Sequence, residues 1–125
     1  MAGGHPDDGT AVGIKRIINA AKYSVAGCIA AYKHEEAFRQ EVWALAAALP
    51  ISFFIAENAI EWLLLIISII VVLIVELLNT GIENAIDRFG GQKHELSGRA
   101  KDMGSAAVML SIFLALLVWI VVIIH

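Results

Sequence analysis

Cysteine is nearly absent from these 125 residues. A lone Cys28 excludes an intrachain disulfide and a thiolate metal cluster of the C-x-x-C kind, and it reads as one more small apolar side chain. The glycines are not arranged to hold phosphate. Neither G-x-x-x-x-G-K-[ST] nor G-x-G-x-x-G occurs, which excludes a P-loop or a protein-kinase type of nucleotide site, so a nucleotide would have to be held by side chains on helices. Residues 1–9 (MAGGHPDDG) have no basic region followed by an apolar core, so they are not a cleavable signal peptide and are expected to be a disordered tail. Charged residues make up only 17%, with a formal net charge of −3. No basic excess points to a nucleic acid partner.

Apolar residues fill the rest. They account for 59% of the chain, with a mean hydropathy of +0.77, which describes an all-α integral membrane protein of one domain, residues 10–125. Over residues 10–33, Ile14, Ile17, Ile18, Ala21, Val25, Cys28, Ile29 and Tyr32 recur at helical spacing, while Lys15, Arg16, Asn19 and Lys22 take another face. That pattern predicts an N-terminal amphipathic helix lying on the membrane surface. Three transmembrane helices are expected to follow, over about 36–57, 60–87 and 95–124. The first is the weakest, because its apolar run, Val42 to Ala56, is only 15 residues and contains Pro50. Glu35 and Arg39 stand at i, i+4 spacing near its start, as an ion pair would. Glu57-Asn58-Ala59 makes a short turn, and Gly90-Gly91 marks the end of the second span. All nine Lys and Arg residues precede the apolar run of the first span or lie between the apolar runs of the second and third. The positive-inside rule therefore puts the N-terminus and the 88–102 segment on the cytoplasmic side. Trp43, Trp62 and Trp119 are expected as interface anchors.

Glu76, Asn79, Glu83 and Asp87 interrupt this greasy pattern. At about 100° per residue they share one helix face, and Trp62 to Val75 before them contains a single polar residue, Ser68. Glu76 thus sits at or inside the membrane boundary, and an intramembrane carboxylate is a functional hypothesis by default. Carboxylates with Lys and Arg nearby suit a hard divalent cation together with a polyphosphate. Small residues at the start of the third span, Gly98, Ala100, Gly104, Ala106 and Ala107, would let it approach the acidic face, with Lys101 as counter-ion and phosphate ligand. A purely structural set of ion pairs, Glu83 or Asp87 with Lys101 or Arg99, explains one or two of the acids but not Glu76, which lies deeper with no cation in view. His94 fits a solvated loop residue or a nucleotide contact equally well.

Three polar strings, E-E-A-F-R-Q-E (35–41), E-L-L-N-T-G-I-E-N-A-I-D-R (76–88) and H-E-L-S-G-R-A-K-D-M-G-S-A-A-V (94–108), resemble the small bacterial diacylglycerol kinase family in order and spacing. The resemblance implies a homotrimer of three-span subunits in the bacterial inner membrane, with composite active sites at the cytoplasmic face. It implies that Glu76 takes the proton from a lipid hydroxyl and that Glu35 and Glu83 coordinate the magnesium of MgATP. It also implies that Asn79 fixes the site and that Asp87 is functionally important. On the nucleotide side it implies Arg16, Tyr23, His94, Lys101 and Asp102, and near the lipid Arg16, Glu41, Glu76 and Ser105. Asn19, Ile29 and Tyr32 depart from the family pattern on the surface helix. Gram-positive relatives of the same architecture phosphorylate undecaprenol, and they share the E-L-L-N-T and K-D elements.

The expected function is transfer of the γ-phosphate of MgATP to diacylglycerol, giving phosphatidic acid and ADP. Undecaprenol is the alternative lipid. Two readings from other classes are a small proton-coupled exporter, which also uses a lone membrane carboxylate, and a non-catalytic assembly subunit held by ion pairs.

Overall fold

The computed structural model describes residues 9–89 and 94–125; the tail over 1–8 and the Gly90-Gly91 turn lie outside the described residues. Among those described there are four helices, α1 (Gly9–His34), α2 (Glu36–Ile55), α3 (Ala59–Asp87) and α4 (Glu95–Ile124). The last three are long and apolar enough to cross a membrane. Helix α1 includes Gly9, one residue of the expected tail. It is exposed along most of its length, with only Ala31 buried among its described side chains.

A single extended residue, Glu35 (φ −117°, ψ 112°), joins α1 to α2. Such a tight joint leaves the last carbonyls of α1 short of donors, and Arg39 supplies them. Its Nη1 donates to the carbonyls of Tyr32 (2.8 Å) and Lys33 (3.0 Å). The i, i+4 spacing had suggested a Glu35–Arg39 ion pair, but the ion pairs among the described residues are Arg99–Glu95 and Lys101–Asp87. The helix end competes successfully for the guanidinium, and the Glu35 carboxylate is left free for other work.

The turn into α3 is fixed by a reciprocal cap. Asn58 Oδ1 accepts from the Glu61 amide (2.9 Å), and Asn58 Nδ2 donates to Glu61 Oε2 (3.0 Å). His94 begins α4 in a similar way, its Nδ1 accepting from the Leu96 amide at 3.0 Å.

Helix α3 is the axis of the fold, packing most extensively on α4 and next on α2. It carries seven buried residues, Leu65, Ile66, Ser68, Val72, Glu76, Asn79 and Thr80. By contrast α4 buries only Gly104 and Ser111, and its large apolar side chains point outward. This inversion suits lipid as solvent, where small and polar residues make the helix contacts. Ser52, Ser68 and Ser111 each donate to the carbonyl three residues back on their own helix, Leu49 (2.8 Å), Leu65 (2.8 Å) and Val108 (2.7 Å). Trp119 ties two helices together, its Nε1 donating to the Leu65 carbonyl at 3.2 Å. Trp43 is exposed to the surroundings of the bundle.

At about 1.5 Å per residue the 29 residues of α3 run about 43 Å. That exceeds the roughly 30 Å of a hydrocarbon core. One end of α3 therefore projects into the head-group region, and the acidic stripe occupies that end.

Candidate active site

The polar end of α3 carries a graded set of acids. Glu76 is buried, at 6% exposure, and makes no hydrogen bond or ion pair among the described residues. Glu83, two turns on and about 10 Å further along the helix, is half-buried. Asp87 is exposed, and its Oδ1 meets Lys101 Nζ of α4 at 2.6 Å. This last contact is the pairing that the purely structural reading of the stripe anticipated. It stops there, because neither Glu76 nor Glu83 acquires a cation.

Two further acids converge on Glu76 from other elements. Glu35 comes from the α1–α2 joint and Glu41 from the second turn of α2. The charges of Glu83 and Glu35 are near enough to act on Glu76, and that of Glu76 on Glu41. Glu41 Oε2 is buried without a partner. Four carboxyls gathered in a largely apolar bundle, none of them in a salt bridge among the described residues, repel one another and lose hydration. A bound cation offsets both costs.

The donor set fits magnesium. Glu35 makes no capping hydrogen bond with its side chain, and Glu83 uses only Oε1, which accepts from Asn79 Nδ2 at 3.0 Å. Among the described residues no three His, Cys, Asp or Glu side chains form a closed metal cage. Two carboxylates with open positions suit an ion that keeps phosphate oxygens and water in its shell.

Two spaces adjoin the acids. A cavity of about 670 Å³ lies between α1, the joint and α3, lined on its polar side by Ser24, His34, Glu35, Thr80 and Asn84. On the other side, Glu41 stands at one end of an apolar groove of about 470 Å³ along α2, α3 and α4 that reaches Trp119.

The structure thus brings Glu35, Glu41, Glu76, Asn79 and Glu83 together, and pairs Asp87 with Lys101. It leaves Arg16 and Tyr23 exposed on α1, and Asp102 and Ser105 exposed on α4. His94 is exposed, and its imidazole caps α4. Sequence reasoning did not single out Thr80 or Asn84 in the cavity wall, although both share a helix with the stripe. The Asn79–Glu83 bond was readable from the i, i+4 spacing.

The sequence also matches known proteins. The sequence profile of the family described as "Prokaryotic diacylglycerol kinase" matches residues 22–123. The chain is 51% identical over 107 residues to the diacylglycerol kinase of Escherichia coli K12, covering 86% of this chain and 88% of that protein. It is 44% identical over 107 residues to the diacylglycerol kinase of Haemophilus influenzae, covering 86% and 91%. A third relative, the diacylglycerol kinase of Pseudomonas aeruginosa, is 43% identical over 107 residues, covering 86% and 87%.

Proposed function

The chain belongs to the prokaryotic diacylglycerol kinase family and is a membrane-embedded lipid kinase, and we propose how its own residues perform the transfer. Membership removes the exporter and the non-catalytic subunit from consideration.

Glu76 is the general base. It accepts the proton of the lipid's primary hydroxyl as that oxygen forms its bond to the γ-phosphorus of ATP; the bond from the γ-phosphorus to the β–γ bridging oxygen breaks, and ADP leaves. The observation that carries this assignment is a carboxyl buried in a helix long and apolar enough to cross a membrane, with no partner of its own among the described residues. Glu35 and Glu83 would hold magnesium, which would supply neutralisation of the phosphate charge. Asn79 steadies Glu83 through its carboxamide.

Lys101 and Asp102, with Arg16, Tyr23 and His94, serve the nucleotide. Lys101 starts from its pair with Asp87 and exchanges that carboxylate for phosphate oxygens. Glu41, Arg16 and Ser105 serve the lipid, whose acyl chains find an apolar path in the groove that begins at Glu41. Arg16, Tyr23, Asp102 and Ser105 are exposed on single helices. A homotrimer in which neighbouring subunits complete each site gives these side chains a place to act. The basic residues at the α1 and 88–102 end support, by the positive-inside rule, a cytoplasmic position for that end, where ATP is.

Transfer of labelled phosphate from ATP into a panel of lipid alcohols, read as products, tests the reading. Phosphatidic acid with stoichiometric ADP, dependent on Mg²⁺, is the expected result. Undecaprenyl phosphate as the main product would reassign the substrate, and hydrolysis of ATP with no lipid product would overturn the mechanism.

A further inference from the structure

Asn79 is buried at 7% exposure, yet only half of its carboxamide is used within the protein. Its Nδ2 donates to Glu83 Oε1, while Oδ1 is buried with no hydrogen-bond partner. That oxygen rests on Gly104 of α4. A Cβ built on Gly104 would collide with Asn79 Oδ1 and lie 3.2 Å from Asn79 Cγ and 3.8 Å from its Cβ. The glycine hydrogen that a Cβ would replace therefore points at Oδ1, a Cα–H···O contact of the kind found where helices pack closely. Gly98 and Gly81 differ, since a Cβ on either meets nothing within 4 Å.

The consequence follows from the shape of the carboxamide. It is planar, so a methyl group against both Oδ1 and Cγ cannot be relieved by a small rotation. Asn79 must leave its rotamer, and Nδ2 then leaves Glu83. We infer that Gly104 is a positioning residue of the transfer site: the missing side chain at 104 is what allows Asn79 to hold Glu83. The effect on magnesium rests on the placement of Glu83 given above, whereas the seat of Asn79 on Gly104 does not.

The full chain reconstituted in lipid bilayers tests this with Gly104→Ala, Asn79→Ala, their double variant, Glu83→Gln and, as a control on the same helix, Gly98→Ala. Turnover, the Mg²⁺ midpoint and the lipid dependence are measured, together with Mn²⁺ affinity by paramagnetic resonance in the presence of a non-hydrolysable ATP analogue. Gly104→Ala is expected to lower turnover about tenfold or more and to raise the Mg²⁺ midpoint and the Mn²⁺ dissociation constant about tenfold. The lipid dependence should stay within about twofold, since a packing defect alone lowers the amount of active protein and not the metal midpoint. Gly98→Ala should match the wild type. In the Asn79→Ala background the methyl should cost nothing further, because the atoms it strikes are gone.

Wild-type turnover and metal midpoint in Gly104→Ala would overturn the inference. So would an equal loss from the methyl whether or not Asn79 is present. If Gly104→Ala fails to fold, the double variant should fold as well as Asn79→Ala, and its failure would likewise overturn the inference. Unchanged Mn²⁺ affinity in Glu83→Gln would remove Glu83 from the metal site, and the turnover cycle with Asn79 would then decide the role of Gly104.

Discussion

Most buried polar groups toward the apolar end of this bundle are satisfied within the chain, whereas the acidic end leaves its carboxyls open. Toward the apolar end, Ser52, Ser68 and Ser111 each return their hydroxyl to a carbonyl of their own helix, and Trp119 spends its indole N–H on Leu65, while Trp62 Nε1 alone is buried there without a partner among the described residues. At the acidic end, Glu76 has no partner, and Glu41 Oε2 and Asn79 Oδ1 are buried without one. A membrane protein cannot leave buried polar atoms unsatisfied without cost, because no water competes to repair them. The serines show that this chain is able to satisfy them internally. We therefore read the open carboxyls as the groups that meet a metal and a lipid hydroxyl. Glu35 makes the same point by subtraction, since Arg39 is committed to the end of α1 and does not neutralise it.

If that contrast holds, substitutions at the acidic end should change chemistry far more than stability, and those at the apolar end should do the reverse. The largest effect outside Glu76 is expected for Glu83→Gln and Glu35→Gln. Each should raise the Mg²⁺ requirement about tenfold to a hundredfold, corresponding to about 1.4–2.8 kcal/mol, with little change in thermal midpoint. Mg²⁺ titration of turnover beside a thermal melt reads both quantities. Lys101→Met should follow, weakening ATP binding about tenfold through loss of a charged phosphate ligand. Its stability should hardly change, because the Asp87–Lys101 pair is largely exposed. A variant that unfolds while still binding ATP normally would make Lys101 a structural tie.

At the apolar end the effects shrink and move to stability. Trp119→Phe removes one interhelical hydrogen bond and should cost about 0.5–1.5 kcal/mol in an unfolding titration while leaving turnover intact. Ser68→Ala should be the mildest, within about 1 kcal/mol, because the carbonyl it releases keeps its helical bond. A large loss of activity from either would break the contrast between the two ends.

The helices and the acidic stripe were legible in the sequence, for a physical reason. Hydrophobic runs and helical spacing are local properties, so α1 to α4 fall within a residue or two of the expected 10–33, 36–57, 60–87 and 95–124. The grouping of Glu76, Asn79, Glu83 and Asp87 follows from the 3.6-residue period alone. What was not legible depends on which of several partners wins a group. Arg39 had Glu35 at ideal spacing and went to the carbonyls of α1. Trp119 donates to Leu65 on another helix. Asn79 had two ends, and only the packing of α4 shows that one of them presses on Gly104. The glycine was visible as a small residue, but the rotamer it permits belongs to the tertiary structure.

We propose that the unpaired carboxyl of Glu76 takes the proton of the lipid hydroxyl and does not hold the nucleotide. Glu76→Gln, assayed in bilayers for phosphate transfer and separately for equilibrium binding of MgATP, tests it most directly. Turnover should fall by about 10²–10⁴-fold, the range lost with a general base, while ATP affinity stays within about twofold. Near-normal turnover, or a loss of ATP affinity as large as the loss of turnover, would contradict it.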